Sequence, residues 1–374
     1  MTIEPIKMPK WGLSMEEGKI VEWWAKEGDQ IQEGDDLVDI ETTKITNVCE
    51  AHMDGLLRKI IATPDETLPV GALIAVMADP EVGDDEIDAY VEQYQANFDV
   101  ADIEEVAGGP DIRTVEVYGR SLRVGVMGEE KEGLPLVLLH GFGGDLDNWL
   151  LVQPEIAEDR PVYAIELPGH GESSKDVGDG TLSSLAIGII AAIDSLDLKD
   201  VYLAGHSLGG AIAIEVSLRL GERVKSLALV CPACVPGGQL NEEYLDAFVS
   251  AKRARDLRGP AAQLFADPKF VTKDLLEGLV KSKRLDGALA ALTLIKDKLK
   301  GGDPNYAALG DRINELVPPV TVIASKQDKI VGAPDESQFP AEAQFVWVEG
   351  AGHMPHLERS ADVVAALRSL NSKS

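Results

Sequence analysis

Cysteine is scarce in this chain: Cys49, Cys231 and Cys234 are the three among 374 residues. That excludes a disulfide framework and suits a reducing compartment. Basic residues are also few, with 35 Lys and Arg against 64 Asp and Glu, a formal net charge of −29 and a sequence pI near 4.5. Such a charge argues against nucleic-acid backbones and anionic membranes as partners and favours a basic docking partner. No apolar run approaches the roughly 20 residues needed to cross a bilayer. Met1-Thr-Ile-Glu-Pro-Ile6 offers no basic segment ahead of an apolar core, so a cytoplasmic location is expected. Aromatics are sparse at 5%, yet 45% hydrophobic residues are ample for the cores of two or three domains.

What is present begins with an internal repeat. Gly18-Lys-Ile-Val-Glu-Trp-Trp24 leads to Gly34, and Gly55-Leu-Leu-Arg-Lys-Ile-Ile61 leads to Gly71 at the same offset. An alternating apolar strand follows each second glycine, at 37–40 and 73–77. Two matched sets of short strands predict a small flattened all-β barrel with pseudo-twofold symmetry. The chain passes between its halves at Thr42-Thr43-Lys44, a polar turn between strands 37–40 and 45–48, which puts Lys44 at the outermost point.

Residues 3–78 resemble a lipoyl domain through Met8-Pro-Lys-Trp-Gly-Leu-Ser-Met15, Glu33-Gly-Asp35, Glu41-Thr-Thr-Lys44 and Asp54-Gly55. Thr43 stands where that family usually has an acid. The biotinyl relatives flank their lysine with methionines, whereas Thr43 and Ile45 flank Lys44. The resemblance implies (R)-lipoate attached covalently to Lys44 by a lipoate ligase or transferase.

From Asp79 to Pro110 there are eleven carboxylates and no lysine or arginine, ending in Gly108-Gly-Pro110. This predicts an acidic linker over 80–111. Ile87, Val91, Tyr94 and Phe98 fall at helical spacing, so a short amphipathic helix that docks on a neighbour is expected within it. The remainder is expected to stay solvated, and about 30 flexible residues have an r.m.s. span of roughly 30 Å.

Beyond residue 112 strands alternate with helices, the mark of an α/β layer fold. Runs 134–140, 161–166 and 200–204 read as buried parallel strands, with a helix over 182–196. The third runs into Gly205-His-Ser-Leu-Gly209 and then an apolar helix, placing a Gly-x-Ser-x-Gly turn between strand and helix. A serine hydroxyl needs a base, and the base needs an orienting partner. Strand 319–325 ends near Asp328, and strand 343–348 leads to Gly350-Ala-Gly-His353. Ser207, Asp328 and His353 are therefore the candidate catalytic residues, with Asp335 the alternative acid and His356 the alternative base. His140, His170 and His206 each sit inside a backbone-shaping motif and are expected to support the site. The amides of Phe142, in His140-Gly-Phe-Gly-Gly144, and of Leu208 are candidate oxyanion donors. Cys231-Pro-Ala-Cys234 has the spacing of a redox or half-metal site. It lacks a second ligand pair and a thioredoxin pattern, so two loop thiols and no metal are expected.

Residues 112–371 resemble the α/β-hydrolase family through these motifs and Leu167-Pro-Gly-His-Gly-Glu-Ser173. Helical patterns at 242–255, 275–285 and 288–300 resemble its cap, about 237–317. The expected organisation is a lipoyl domain at 1–79, the linker at 80–111 and a hydrolase-fold domain at 112–374.

The pairing of the two resembles the acetyltransferase components of bacterial acetoin-cleaving (acetoin dehydrogenase) systems. It implies an acetyl group passed from lipoyl-Lys44 to coenzyme A, with a thiamine-diphosphate enzyme upstream and a flavin-dependent dihydrolipoamide dehydrogenase to reoxidise the dithiol. The His-x-x-x-Asp-Gly motif and peripheral binding domain of ordinary multienzyme acyltransferases are not visible. Two alternatives remain: a lipoyl-bearing serine esterase or carbon–carbon hydrolase, and a lipoyl carrier whose hydrolase fold is a scaffold.

Overall fold

A computed structural model describes residues 3–9, 15, 17–42, 46–51, 53–98 and 109–370. The chain divides into a compact unit of Met1–Gly109 with Thr272–Leu275 and a second of Pro110–Val271 and Leu276–Ser374.

The first unit holds β1 (Ile3–Lys7), β2 (Glu17–Trp23), β3 (Gln30–Ile31), β4 (Asp36–Glu41), β5 (Thr46–Glu50), β6 (Gly55–Ile60), β7 (Thr67–Pro69) and β8 (Leu73–Ala78). They form two four-stranded sheets, ordered β1-β8-β6-β3 and β5-β4-β2-β7. Advancing every strand of the first sheet by four along the chain reproduces the second, which is the repeat written as topology. The close approach of strands to the core needs Gly18, where a Cβ would lie 2.6 Å from Met8 Sδ. β4 and β5 pair antiparallel with Glu41 opposite Thr46. Lys44, like Thr43 and Ile45, lies outside the described residues.

The expected linker helix is α1 (Asp84–Asn97), and it is held firmly against this barrel. Ile87 and Val91 pack with Val82 on Leu73, Val76 and Ala78, the outer face of β8, while Ile74, Ala75 and Met77 fill the barrel. Arg58 donates to the carbonyls of Asp79 and Val82 at 3.1 and 2.9 Å and pairs with Asp84 at 2.7 Å. Lys59 pairs with Asp88, and Tyr94 donates to the Gly71 carbonyl at 2.9 Å. The helix docks as expected, and cations on β6 pair with two of its acids.

The second unit is an eight-stranded sheet of β9 (Asp111–Val117), β10 (Arg120–Met127), β11 (Leu136–Leu139), β12 (Val162–Ile165), β13 (Val201–His206), β14 (Val224–Val230), β15 (Val320–Ala324) and β16 (Gln344–Trp347). Its order is β16-β15-β14-β13-β11-β12-β10-β9; β10 is antiparallel to both neighbours and the strands from β12 to β16 are parallel. The central strands β11, β12 and β13 are buried throughout, as continuous apolar runs require when helices cover both faces. The helices are α2 (Gln153–Ala157), α3 (Leu182–Ser195), α4 (Leu208–Leu220), α5 (Glu242–Ser250), α6 (Ala254–Ala261), α7 (Lys273–Lys283), α8 (Ala288–Asp297), α9 (Pro304–Ala308), α10 (Pro355–Glu358) and α11 (Ser360–Arg368).

The cap departs from expectation at 242–255, which is two helices. Asp256 accepts from the amides of Lys252 and Arg253 at 3.3 and 3.1 Å, and Lys283 Nζ takes the carbonyls of Phe248 and Ala251. Side chains thereby satisfy the backbone groups that a continuous helix would have used. The run 288–300 likewise ends as α8 at Asp297, before a turn with Gly301 at φ 105°.

Candidate active site

β13 delivers Ser207 at φ 53°, ψ −116°, a left-handed backbone that costs a non-glycine residue about 1–3 kcal/mol. Surrounding contacts over-determine it. The Ser207 amide donates to the Val230 carbonyl at 3.0 Å, and its carbonyl accepts from Gly210 at 2.9 Å and Ala233 at 3.0 Å. Gly205 and Gly209 are required by space: a Cβ on the first would strike the backbone of Gly209, and on the second the carbonyls of Leu139 and His140. Leu208 opens α4, where first-turn amides lack intrahelical acceptors, and Phe142 follows β11 in the adjacent loop.

The acid and imidazole arrive from β15 and β16. Asp328 Oδ2 lies 2.8 Å from His353 Nδ1, and Oδ1 accepts from Ile330 and Val331 at 2.8 and 3.1 Å. Burial by itself would raise the Asp328 carboxyl, but the His353 charge and these hydrogen bonds outweigh it and leave the group below its usual range. Because Nδ1 serves the carboxylate, Nε2 is the nitrogen left to exchange a proton. His353 joins the neighbourhood of Ser207 through His206, whose ring lies 4.7 Å from the His353 ring and whose Nε2 is 2.8 Å from the His353 carbonyl.

The family model described as "Alpha/beta hydrolase family" matches residues 136–367, and the biotin/lipoyl model described as "Biotin-requiring enzyme" matches 4–77. The "Dihydrolipoyllysine-residue acetyltransferase component of acetoin cleaving system" of Pseudomonas putida is 42% identical over 361 residues, 96% of each chain. The protein of that name from Cupriavidus necator is 38% identical over 367 residues, 98% of this chain and 97% of its own. The chain belongs to this acetyltransferase family. Among solved structures, a bacterial membrane phospholipase A aligns with a TM-score of 0.61 at 24% identity, covering 76% of this chain and 93% of its own. A meta-cleavage product hydrolase aligns at 0.59 and 21%, covering 68% and 97%. These share the fold.

For this member of the acetyltransferase family the first unit is a lipoyl domain and the second an α/β-hydrolase domain. No helix among the described residues is long and apolar enough to cross a membrane. The alternative acid, Asp335, is occupied elsewhere, accepting from Ser337 and Gln338 at the start of a short turn. The alternative base, His356, is fully buried between Trp149 and His206 with no hydrogen-bond partner for either ring nitrogen among the described residues. Burial lowers its pKa to about 3. His140 Nδ1 faces the Gly141 carbonyl at 2.8 Å and Nε2 accepts from the Leu167 amide at 3.0 Å. His170 Nδ1 faces the Pro168 carbonyl at 3.0 Å, and burial lowers its pKa to about 3.

Two features were not anticipated. Cys231, expected as a loop thiol, is buried with Sγ within 4.8 Å of ligand atoms on Asp328 and His353. Burial, then the Asp328 charge, push its thiol far above the ordinary range. Pro232, in the same turn, packs against the Cα of Gly210, so the Cys-Pro-Ala-Cys segment buttresses the serine turn. Glu358 grips the histidine loop: Oε2 accepts from Gly352 at 2.6 Å, and Oε1 from Ala266 and Asp267 at 2.7 and 3.2 Å. Its place five residues after His353 was the only sequence signal.

Proposed function

We propose that the protein moves an acetyl group from a lipoyl thioester carried on Lys44 to coenzyme A through Ser207, within an acetoin-cleaving multienzyme system. The Asp328–His353 pair beside the strained serine turn carries this reading, and the full-length likeness to the two acetyltransferase components supports it. The β4–β5 pairing, which ends at Glu41 opposite Thr46 on either side of Lys44 in the sequence, fits attachment. When attached, the lipoyl group supplies the acetyl thioester and afterwards a free dithiol.

His353 Nε2 takes the Ser207 proton as Oγ attacks the acetyl carbonyl, and Asp328 stabilises the resulting imidazolium. The amides of Phe142 and Leu208 receive the negative oxygen. The carbon–sulfur bond breaks and His353 protonates the departing sulfur, leaving acetyl-Ser207. Coenzyme A thiol then gives its proton to His353 and attacks the same carbonyl; the serine ester bond breaks and Ser207 recovers its proton. Burial of Ser207 and His353 supports transfer over hydrolysis by limiting water. A thiamine-diphosphate acetoin-cleaving enzyme and a dihydrolipoamide dehydrogenase are the proposed partners, and a lipoate ligase or transferase modifies Lys44.

The test supplies acetyl-dihydrolipoamide with and without coenzyme A. Acetyl-CoA formation that requires the Ser207 hydroxyl is expected. Equal acetate release in both arms, with no acetyl-CoA, identifies a hydrolase instead; retained complex activity in Ser207→Ala identifies a lipoyl carrier.

A further inference from the structure

In a chain of net charge −29, a highly anionic acyl acceptor is repelled unless a local basic surface receives it. Many arginines and lysines are paired with acids, as in Arg113–Glu129, Arg123–Glu172, Arg223–Asp194 and Arg368–Asp159. The same holds for Lys296 and Lys300 in the cap, which pair with Asp246, but the region around α6 and the end of α7 is different. Lys252, Arg253, Arg255 and Arg258 crowd the start of α6, while Lys281 and Arg284 lie at the end of α7, and all six are exposed. Arg284 Nη2 reaches the Lys252 carbonyl at 3.4 Å, so the two segments are adjacent. Among the described residues, only Arg255 of the six has an ion-pair partner, Asp256 at 3.8 Å. Asp256 is itself engaged by the amides of Lys252 and Arg253; Asp286 follows Arg284, and Asp274 and Glu277 lie earlier in the α7 sequence.

This basic surface is tied to the reaction centre. The buried ammonium of Lys283 clamps the carbonyls of Phe248 and Ala251, the residues leading into Lys252. The Phe248 ring packs 5.7 Å from that of Phe142 and closely against Gly143 in the loop proposed to receive the oxyanion. Leu285 and Leu289, 39% and 48% exposed, follow Arg284 and offer an apolar ledge. Guanidinium groups match phosphate oxygens through paired N–H donors, and an apolar shelf suits a purine face.

We propose that this α6/α7 surface binds the 3′-phosphate and pyrophosphate of coenzyme A, directing its thiol arm past Phe248 toward Ser207. The inference rests on the acceptor named above, but its test does not require turnover. Coenzyme A and 3′-dephospho-coenzyme A are titrated calorimetrically into full-length Ser207→Ala protein, with and without Arg253→Ala, Arg255→Ala and Arg284→Ala. The three substitutions should weaken coenzyme A binding roughly tenfold or more, as expected for lost charged hydrogen bonds, and narrow its advantage over the dephospho form. In the Ser207 protein they should raise KM for coenzyme A while kcat with pantetheine is unchanged. Lys225→Ala, which removes a cation paired with Asp200, controls for net charge. Unchanged affinity in the triple variant, or no binding to the parent at millimolar coenzyme A, overturns the proposal. Hydrolysis in place of transfer, with charge-dependent binding retained, overturns the acetyl-transfer reading alone.

Discussion

His206 Nε2 donates to the backbone carbonyl of His353 at 2.8 Å, so the residue before the serine is bonded to the residue that bears the proposed base. A carbonyl only accepts, which fixes the proton on Nε2 and leaves Nδ1 as a lone pair with no partner among the described residues. Replacing His206 with Phe keeps a ring against His353 and removes the donor. A loss of about 1–3 kcal/mol in transition-state stabilisation is expected, roughly tenfold to hundredfold in kcat/KM. Steady-state kinetics together with a melting curve separate this from unfolding; an undiminished rate would refute the positioning role.

Ser207→Ala should reduce transfer by on the order of 10⁴-fold or more, and Asp328→Asn by a comparable factor because the imidazole tautomer is no longer held. Asp328 also carries a stability signature. Its folded pKa lies below the ordinary carboxyl value of 3.8, so its contribution is present above that value and lost as pH falls through the lower folded one. Acid unfolding of Asp328→Asn, followed by circular dichroism, should lack that component.

Glu358 has the opposite sign. Burial raises its carboxyl above 4.5 despite three amide donors, so its stability contribution is full below 4.5 and is lost as pH rises through the folded value. Glu358→Gln should remove this dependence, and the stability gap between the two proteins should narrow across that interval. At neutral pH the amide places N–H₂ toward a backbone donor, and kcat should fall by roughly tenfold. A variant with wild-type kcat and the same pH profile would show that the histidine loop does not depend on this grip.

Lys44→Arg should prevent lipoylation, visible as the absence of the lipoyl mass increment in the intact protein. Acetyl transfer from free acetyl-dihydrolipoamide should persist, while turnover in the reconstituted system stops. Continued system turnover would place the carrier elsewhere.

Arg58→Ala removes two carbonyl bonds and the Asp84 pair that hold α1 to the barrel. About 1–3 kcal/mol of stability should be lost from the first unit, with the hydrolase unit unaffected. Hydrogen exchange of the full chain should show faster exchange in α1 and unchanged protection in α4; unchanged exchange in α1 would mean apolar packing alone holds it.

Much of the architecture was legible because the repeat, the alternating strands and the Gly-x-Ser-x-Gly turn are local patterns. The β4–β5 pairing and the strand–serine–helix order require only short stretches of chain. The break at Ala251 was not legible, because it depends on Lys283 reaching back from α7 to carbonyls that a local pattern assigns to one helix. The docking of α1 was only half legible: the apolar spacing of Ile87 and Val91 is in the sequence, whereas neutralisation of its acids by Arg58 and Lys59 is set by strand pairing.

By itself the sequence determined the two classes of domain, the serine turn and the candidate acid and base, since backbone sterics and hydrophobic periodicity act over a few residues. Only the tertiary structure brought Asp328, already ranked ahead of Asp335, within 2.8 Å of His353, set Cys231 beside that pair and gave Glu358 its loop. Those placements depend on which groups meet across strands far apart in the chain, where burial and direct hydrogen bonding decide charge and orientation.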